Sequence, residues 1–317
     1  MVIDAHADTL LKRYLGETIS FLSGAKIDYH ISEELLRKGG IDVQVFAIWV
    51  PVQMENFALD ITLKMVAKAK TLAEQESFVL IKSKNDLKKI ENQNDTLGMV
   101  LSIEGAVVLD RNLDLLPLFH ELGIRSVGLA WSRSNLFAEG VTFKSDSSPG
   151  RGLSPLGKEL VQQLEATGML VDVSHLNPAG FNDVVNLSTK PFIASHSNAR
   201  YLCSSIRNLT DEQLMDVASA GGVVGINFCS SFLNDKPEEA SINDVIMHIE
   251  HIADVASIDS VGLGSDFDGI TKGPAGLEDA GQVSKLPRLL EEHGFSKPEI
   301  SKIMGRNFQR VFEKIWK

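Results

Sequence analysis

The N-terminal stretch VIDAHADTL alternates Asp4, His6 and Asp8 with the apolar Ile3, Ala5 and Ala7. On an extended strand alternate residues share a face, so two carboxylates and an imidazole would line up in an otherwise apolar segment. Buried polar groups of that kind need a neutralising partner, and a metal ion supplies one. Comparable residues recur where other apolar runs finish. Glu104 lies in LSIEGA, His175 in LVDVSH, His196 in FIASHS, and Asp266 and Asp268 in VGLGSDFDG. One polar strand end is commonplace, but five together point to a shared site.

The donor types indicate the metal. Three imidazoles with carboxylates and no thiolate suit Zn²⁺, with Mn²⁺ or Co²⁺ as alternatives. Five donors exceed a single tetrahedral site, so two ions bridged by Glu104 fit the count better. His6 and Asp8 would hold one ion, His175 and His196 the other. Two neighbouring ions lower the pKa of a shared water and polarise a carbonyl, which is machinery for hydrolysis. Asp266 reads as a sixth ligand, as a general acid/base, or as a turn-forming aspartate ahead of FDGI. Arg207, in SSIRNLTDEQ, reads as a bidentate carboxylate clamp or as a solvated loop arginine. Asp4 shares the face of His6 one strand step deeper, as a partner of the ligands and not a ligand. His248 and His251 have helical spacing between apolar positions, which predicts a partly exposed helix face. The glycine pairs at Gly39 and Gly221 read as turns.

The elements that would position these residues alternate. Eight apolar runs are expected as strands: Val2–Asp8, Val43–Val50, Leu97–Glu104, Ser126–Trp131, Leu170–His175, Phe192–His196, Gly222–Phe228 and Val261–Phe267. Between them run helical patterns such as SPLGKELVQQLEATG, where Ser154 is an N-cap, Pro155 opens the first turn and Gly168 stops the helix. Eight strand–helix alternations favour one parallel (β/α)8 barrel over residues 1–317, a TIM-type architecture of the amidohydrolase kind. A doubly wound sheet is the alternative, but no glycine-rich fingerprint follows the first strand. In a barrel the C-terminal strand ends converge on one catalytic face, and that is where the polar residues fall.

Composition narrows the setting. The 317 residues are 44% apolar and 23% charged, and the net charge of −11 argues against a nucleic-acid or anionic-membrane surface. No apolar run approaches the roughly 20 residues of a membrane span, and no secretory leader precedes Asp4. Cys203 and Cys229 are too few for a disulfide framework. A cytoplasmic enzyme is expected.

Beyond these patterns, the chain resembles the membrane (renal) dipeptidase family of metallopeptidases, and in particular its soluble bacterial members. The resemblance runs through VIDAHAD, KGGIDVQVFAIWVP, SIEGA, GLAWSRSN, GLSPLGKELV, DVSH, PFIASHSNAR, RNLTDEQ, GGVVGINF, GLGSDFDG and MGRNFQRVF. It implies a (β/α)8 barrel with a binuclear zinc centre that hydrolyses dipeptides. By position, His6 and Asp8 match the ligands of one zinc, Glu104 the bridge, and His175 and His196 the ligands of the other. Arg207 matches the residue that binds the substrate's terminal carboxylate, and Asp266 the acid/base aspartate that also touches substrate. One position departs from the pattern. Animal members carry a histidine at the end of strand four, thought to stabilise the tetrahedral intermediate, and Trp131 stands there in this chain. A tryptophan offers one donor and no positive charge. Either the ions alone stabilise the oxyanion, or a neighbour such as Asn135 assists, or the substrate range differs. A leader and lipid-anchoring tail like those of the animal members are not expected, and a homodimer is expected because family members often pair. The rival readings are another amidohydrolase acting on N-acyl amino acids or lactams, and a metal-binding barrel without turnover. Asp8 and Glu104, in place of the His-x-His and bridging lysine usual there, argue against the first.

Overall fold

The apolar runs pair as parallel strands and close on themselves. The computed structural model describes residues 1–23, 28–75, 78–92, 96–109, 111, 113–142 and 150–317. Its strands are β1 (Ile3–Ala7), β2 (Val43–Trp49), β3 (Phe78–Leu80), β4 (Leu97–Glu104), β5 (Ile124–Gly128), β6 (Leu170–Asp172), β7 (Ile193–Ala194), β8 (Val223–Ile226) and β9 (Val261–Leu263). Neighbours run β2-β1-β9-β8-β7-β6-β5-β4, and β2 pairs with β4 to complete a closed eight-stranded barrel. Along that seam Val43 pairs with Gly98 and Trp49 with Glu104. The anticipated barrel is therefore the observed one.

Two differences from expectation have local causes. β3 lies outside the ring and pairs only with the first residues of β4, Phe78 opposite Leu97 and Leu80 opposite Met99. Its three residues are too short to register as a strand in the sequence. Several barrel strands also stop earlier than expected. β5 ends at Gly128 and not Trp131, β6 at Asp172 and not His175, β7 at Ala194 and not His196, and β9 at Leu263 and not Phe267. The backbone turns away there: His175 and Asp266 adopt φ of 70° and 63°, which no β-strand accommodates.

Helices form where caps and periodicity ask for them. The helix Pro155–Thr167 begins as Ser154 Oγ accepts from the Gly157 N–H at 3.0 Å, and Gly168 ends it with a left-handed φ of 85°. A capping box of Thr210 and Gln213 starts the helix Asp211–Ser219. At the opposite end of the barrel from the site, Ile3, Val43, Val100, Leu170, Ile193 and Val223 pack with Phe308, Val311 and Phe312 of the last helix, Asn307–Ile315. That helix covers the strand beginnings, leaving the other face for chemistry. No helix among the described residues is long and apolar enough to cross a membrane.

The helix Ile242–Val255 corrects the expectation for its histidines. His251 is half-buried, as expected, with Nε2 2.8 Å from Asp211 Oδ1 and its ring stacked on Tyr201. His248 is fully buried. Its Nδ1 accepts from the Ala199 N–H at 3.1 Å, and its Nε2 donates to the Leu233 carbonyl at 3.0 Å. One neutral imidazole thus ties the helix to the loop leaving β7. Burial pushes its pKa down from 6.5 to about 4, so the unfolded chain takes up the proton first as pH falls. The stabilising contribution is complete above pH 6.5 and is lost as pH falls towards 4, by about 3 kcal/mol at most. Denaturant unfolding of His248→Gln should show a less stable protein at neutral pH and a gap to the parent that narrows from pH 6.5 to 4. A gap independent of pH would remove His248 from the acid response.

Candidate metal centre

The barrel mouth collects the residues singled out in the sequence. His6 is carried by β1 and Glu104 closes β4, while Asp8, His175, His196 and Asp266 follow just beyond β1, β6, β7 and β9. Three non-glycine residues among those described have positive φ, namely His175, Asp266 and Asp268, and all three are here. Such backbone costs on the order of 1–3 kcal/mol per residue and persists where surrounding contacts over-determine it. At His175 and Asp266 it turns the side chains that follow the strand ends into the centre of the mouth.

Glu104 is the hub. Its Oε2 lies 3.5 Å from His6 Nε2, and its Oε1 lies 2.9 Å from His175 Nε2 and 3.7 Å from His196 Nε2. Asp8 Oδ2 and Asp266 Oδ1 sit 3.5 and 3.9 Å from His6 Nε2. The donors fall into two overlapping groups, His6–Glu104–His196 and His6–Asp8–Asp266, with ligand atoms in each within 4.8 Å of one another. Buried atoms are left over: among the described residues, neither His6 nitrogen nor Asp8 Oδ1 has a hydrogen-bond partner. His175 and His196 face each other, Nε2 to Nε2, at 2.9 Å. Unpartnered buried polar atoms are costly, and imidazole nitrogens converging with carboxylate oxygens fit a metal's donor requirements.

The electrostatics divide the imidazoles. Burial disfavours charge on His6, but the Glu104 and Asp8 carboxylates outweigh it and push its pKa well up. Burial, reinforced by the Arg207 cation, takes His175 down to about 4, and burial with the His6 and Arg207 charges takes His196 well down. Metal ligation needs the neutral ring. Despite burial, His6 and His175 hold the Glu104 carboxyl far below its usual range. Asp266 goes the other way: burial, with repulsion from Asp8 and Glu104, outweighs the attraction of His6 and raises it to about 7.

Surrounding residues hold this set in place. Asp4 touches no imidazole nitrogen. It accepts from Ser265 N at 2.8 Å and Ser265 Oγ at 2.6 Å, anchoring the residue before Asp266. The Asp266 N–H donates to the His6 carbonyl at 3.1 Å, and Asn227 Nδ2 donates to Asp266 Oδ2 at 2.9 Å. The Asp266 main-chain carbonyl accepts the N–H groups of Gly269 and Ile270, so this residue opens a turn with its backbone while its side chain faces the site. A Cβ on Gly269 would lie 2.1 Å from Asp8 Oδ2 and 2.6 Å from Asp266 Oδ1, so a side chain there would displace both carboxylates. Asp268 accepts from Thr9 Oγ1, Lys12 Nζ and the His30 N–H, which makes it a brace between segments.

A cavity of about 650 Å³ opens over the cluster, lined by Asp8, Glu104, His175 and Asp266 together with Arg207, Trp49, Trp131 and Phe232. Arg207 is 3% exposed and so is not a solvated loop residue. It donates to the His196 carbonyl at 3.1 Å, rests 5.5 Å from the Phe232 ring, and leaves Nε without a partner. Trp131 packs between Trp49 and His175, with ring centroids 4.9 and 5.9 Å away. Asn135 does not assist there. Its Nδ2 donates to the Leu129 carbonyl, and its Oδ1 accepts from the Phe137 and Ala138 N–H groups, so its polar ends are spent on its own loop. Sequence reasoning missed Trp49, Ser132, Asp172, Ser195, Asn227, Cys229 and Phe232. Only Ser195, beside His196, and Asp172, three residues before His175, stood close enough to a candidate ligand to be found.

The whole chain has recognisable relatives. The model of the membrane dipeptidase family (peptidase family M19) matches residues 1–317. A metallopeptidase from Rhodobacter sphaeroides, solved with a phosphinate mimic of the dipeptide L-Ala-D-Ala, superposes with a TM-score of 0.91 at 31% identity over 99% of both chains. A second solved structure, a dipeptidase of family M19, gives a TM-score of 0.91 at 33% identity over 99% of this chain and 98% of the other. An uncharacterized dipeptidase from Schizosaccharomyces pombe is 32% identical over 99% of this chain and 80% of its own length. The chain belongs to the membrane dipeptidase family, and its barrel is that of a metal-dependent dipeptidase.

Proposed function

We propose that the protein hydrolyses dipeptides with two zinc ions bridged by Glu104. The observation that carries this reading is the Glu104 carboxylate, whose two oxygens face His6 on one side and His175 with His196 on the other. His6 and Asp8 would hold one ion, and His175 and His196 the second. Bound there, the ions would supply Lewis acidity towards the scissile carbonyl and a water acidified to near neutrality. Mn²⁺ or Co²⁺ would satisfy the same donors.

The chain's own groups do the rest. Arg207, buried and with Nε unpartnered, binds the substrate's terminal carboxylate through charge-assisted hydrogen bonds. Asp266 has one oxygen fixed by Asn227 and the other turned to the cluster, and a pKa raised to about 7. It is placed and tuned to take a proton from the attacking water and give it to the leaving amine. Trp131 and Trp49 form an apolar wall that shields the site from water, and the substrate's side chains lie against it. Both cysteines are unpaired, which supports a reducing, cytoplasmic setting.

The metal assignment is tested by elemental analysis after zinc reconstitution and desalting. The parent should retain two ions per chain, His175→Ala one, and Glu104→Ala neither at stoichiometric concentration. Fewer than two in the parent removes the bridged centre.

The proton carrier is tested separately. Asp266→Asn should lower kcat by roughly 10²–10⁴ while both ions stay bound. Loss of an ion would make Asp266 a ligand, and full activity would end its acid/base role.

Arg207→Met should act mainly on KM, since truncating one side of a buried charge pair costs about 2–5 kcal/mol. A dipeptide with an amidated C-terminus should discriminate poorly between parent and variant.

A further inference from the structure

The hydrogen bonds behind His196 run in one direction only. Asp172 Oδ1 accepts from the Ser174 and Ser195 N–H groups, each at 3.0 Å. Its Oδ2 accepts from Ser195 Oγ. A hydroxyl has one proton, so with that proton committed to Asp172 the Ser195 oxygen can only accept from its other neighbour. That neighbour is His196 Nδ1, at 2.8 Å. Ser174 Oγ, which accepts from the His196 N–H at 3.1 Å, lies 3.4 Å from Ser195 Oγ and can donate to it. Every proton in the chain then has one place.

The surroundings fix Ser195 as firmly as its protons. Asp172, Ser174, Ser195 and His196 are all buried. A Cβ on Gly225 or Gly264 would lie 2.1 or 1.8 Å from the Ser195 carbonyl oxygen, so β8 and the residue after β9 press directly on this backbone. The Ser197 N–H bonds the Gly225 carbonyl at 2.8 Å. The Ser195 backbone therefore has no room to shift. His175 differs: its Nδ1 meets Ser132 Oγ at 2.8 Å, and among the described residues that hydroxyl has no carboxylate behind it to set its direction.

We propose that Asp172, acting through Ser195, is a positioning residue that holds His196 in the Nδ1–H tautomer, so that its Nε2 lone pair always faces the Glu104 cluster. This rests on reading His196 as a metal ligand. Without the pair, the ring could place its proton on Nε2, and a protonated nitrogen binds no metal.

The decisive variant is Asp172→Asn, close to the same shape. The two backbone N–H groups keep the amide oxygen where Oδ1 was, so the NH₂ faces Ser195 and donates to it. Ser195 then donates to His196 Nδ1, 2.8 Å away, in preference to Ser174 Oγ at 3.4 Å, and the proton moves to Nε2. Ser195→Ala merely releases the ring. The metal-free protein is examined first, by long-range ¹H–¹⁵N NMR of histidine-labelled samples. The parent should show His196 as the Nδ1–H form, Asp172→Asn as the Nε2–H form, and Ser195→Ala as a mixture. His196→Ala assigns the signal. Zinc affinity by chelator competition follows. Asp172→Asn should weaken one of the two ions by roughly 10–100-fold, more than Ser195→Ala does, with the metal-free Tm of Asp172→Asn close to the parent's. A purely structural role predicts the reverse order, because asparagine keeps the hydrogen bonds that alanine loses. An Nε2–H parent, or Asp172→Asn unchanged in tautomer, overturns the proposal. If the tautomers shift as expected but His196→Ala still binds two ions, the ligand assignment is wrong and the proton ordering stands.

Discussion

One carboxylate sets the terms for the rest of the structure. Glu104 is buried, and its two oxygens are shared among three imidazoles, one on β1 and two just beyond β6 and β7. Asp8 and Asp266 add acidic groups at the same place. Such a concentration of titratable groups in low dielectric is unfavourable unless the charges are matched and the lone pairs used. The protein matches them only in part, which leaves His6 and Asp8 with orphaned atoms. Divalent cations would complete both requirements at once, and the binding energy would return as stability of the folded barrel.

The barrel meets this constraint by a division of labour along each strand. Strand beginnings are apolar and rest on the last helix. Strand ends carry donors, and the turns that follow bend through left-handed backbone at His175 and Asp266. Two buried aspartates act as anchors between neighbouring strands. Asp4 on β1 holds Ser265 ahead of Asp266, and Asp172 on β6 holds Ser195 ahead of His196. Each aspartate takes both the backbone N–H and the hydroxyl of its serine. The same device thus fixes one member of each donor group, by backbone alone for Asp266 and through an imidazole for His196.

The sequence made the donors legible because strand alternation and barrel geometry are strict. His6 and Asp8 share a face by period two, and parallel strands in a closed ring bring their C-terminal ends together whatever the loops do. Arg207 was ambiguous for the opposite reason: it lies in a loop, where no periodicity says whether a guanidinium faces water or a cavity. Asn135 looked like a donor beside the site, yet loops consume their own asparagines in turns, and this one is bound at both ends. His248 seemed partly exposed because the helix pattern around it is mixed. Its burial follows from contacts to Ala199 and Leu233, segments distant in sequence. The strand β3 was too short to be read, since three residues carry no period. The serines and Asp172 were hidden because small polar residues at strand ends are ordinary; only their pairing across strands distinguishes them.

Under the proposed roles, Arg207 sets the length of the substrate from one end of the cavity. The acidic residues Asp8, Glu104 and Asp266 line one part of it, and Arg207 lies in the wall beside Phe232. A dipeptide is a zwitterion whose ammonium and carboxylate stand on either side of the single amide to be cut. Under the proposed roles, a peptide extended at its C-terminus would present a neutral amide to Arg207 and leave the buried guanidinium without its partner. Leaving a buried charge unpaired costs more than a lost surface contact, so discrimination comes from what the wrong substrate fails to satisfy. The volume of about 650 Å³ is ordinary for a small-molecule site and does not by itself exclude a tripeptide. In that proposed reading, charge matching at Arg207, with Trp49 and Trp131 along the wall, selects length more sharply than size can.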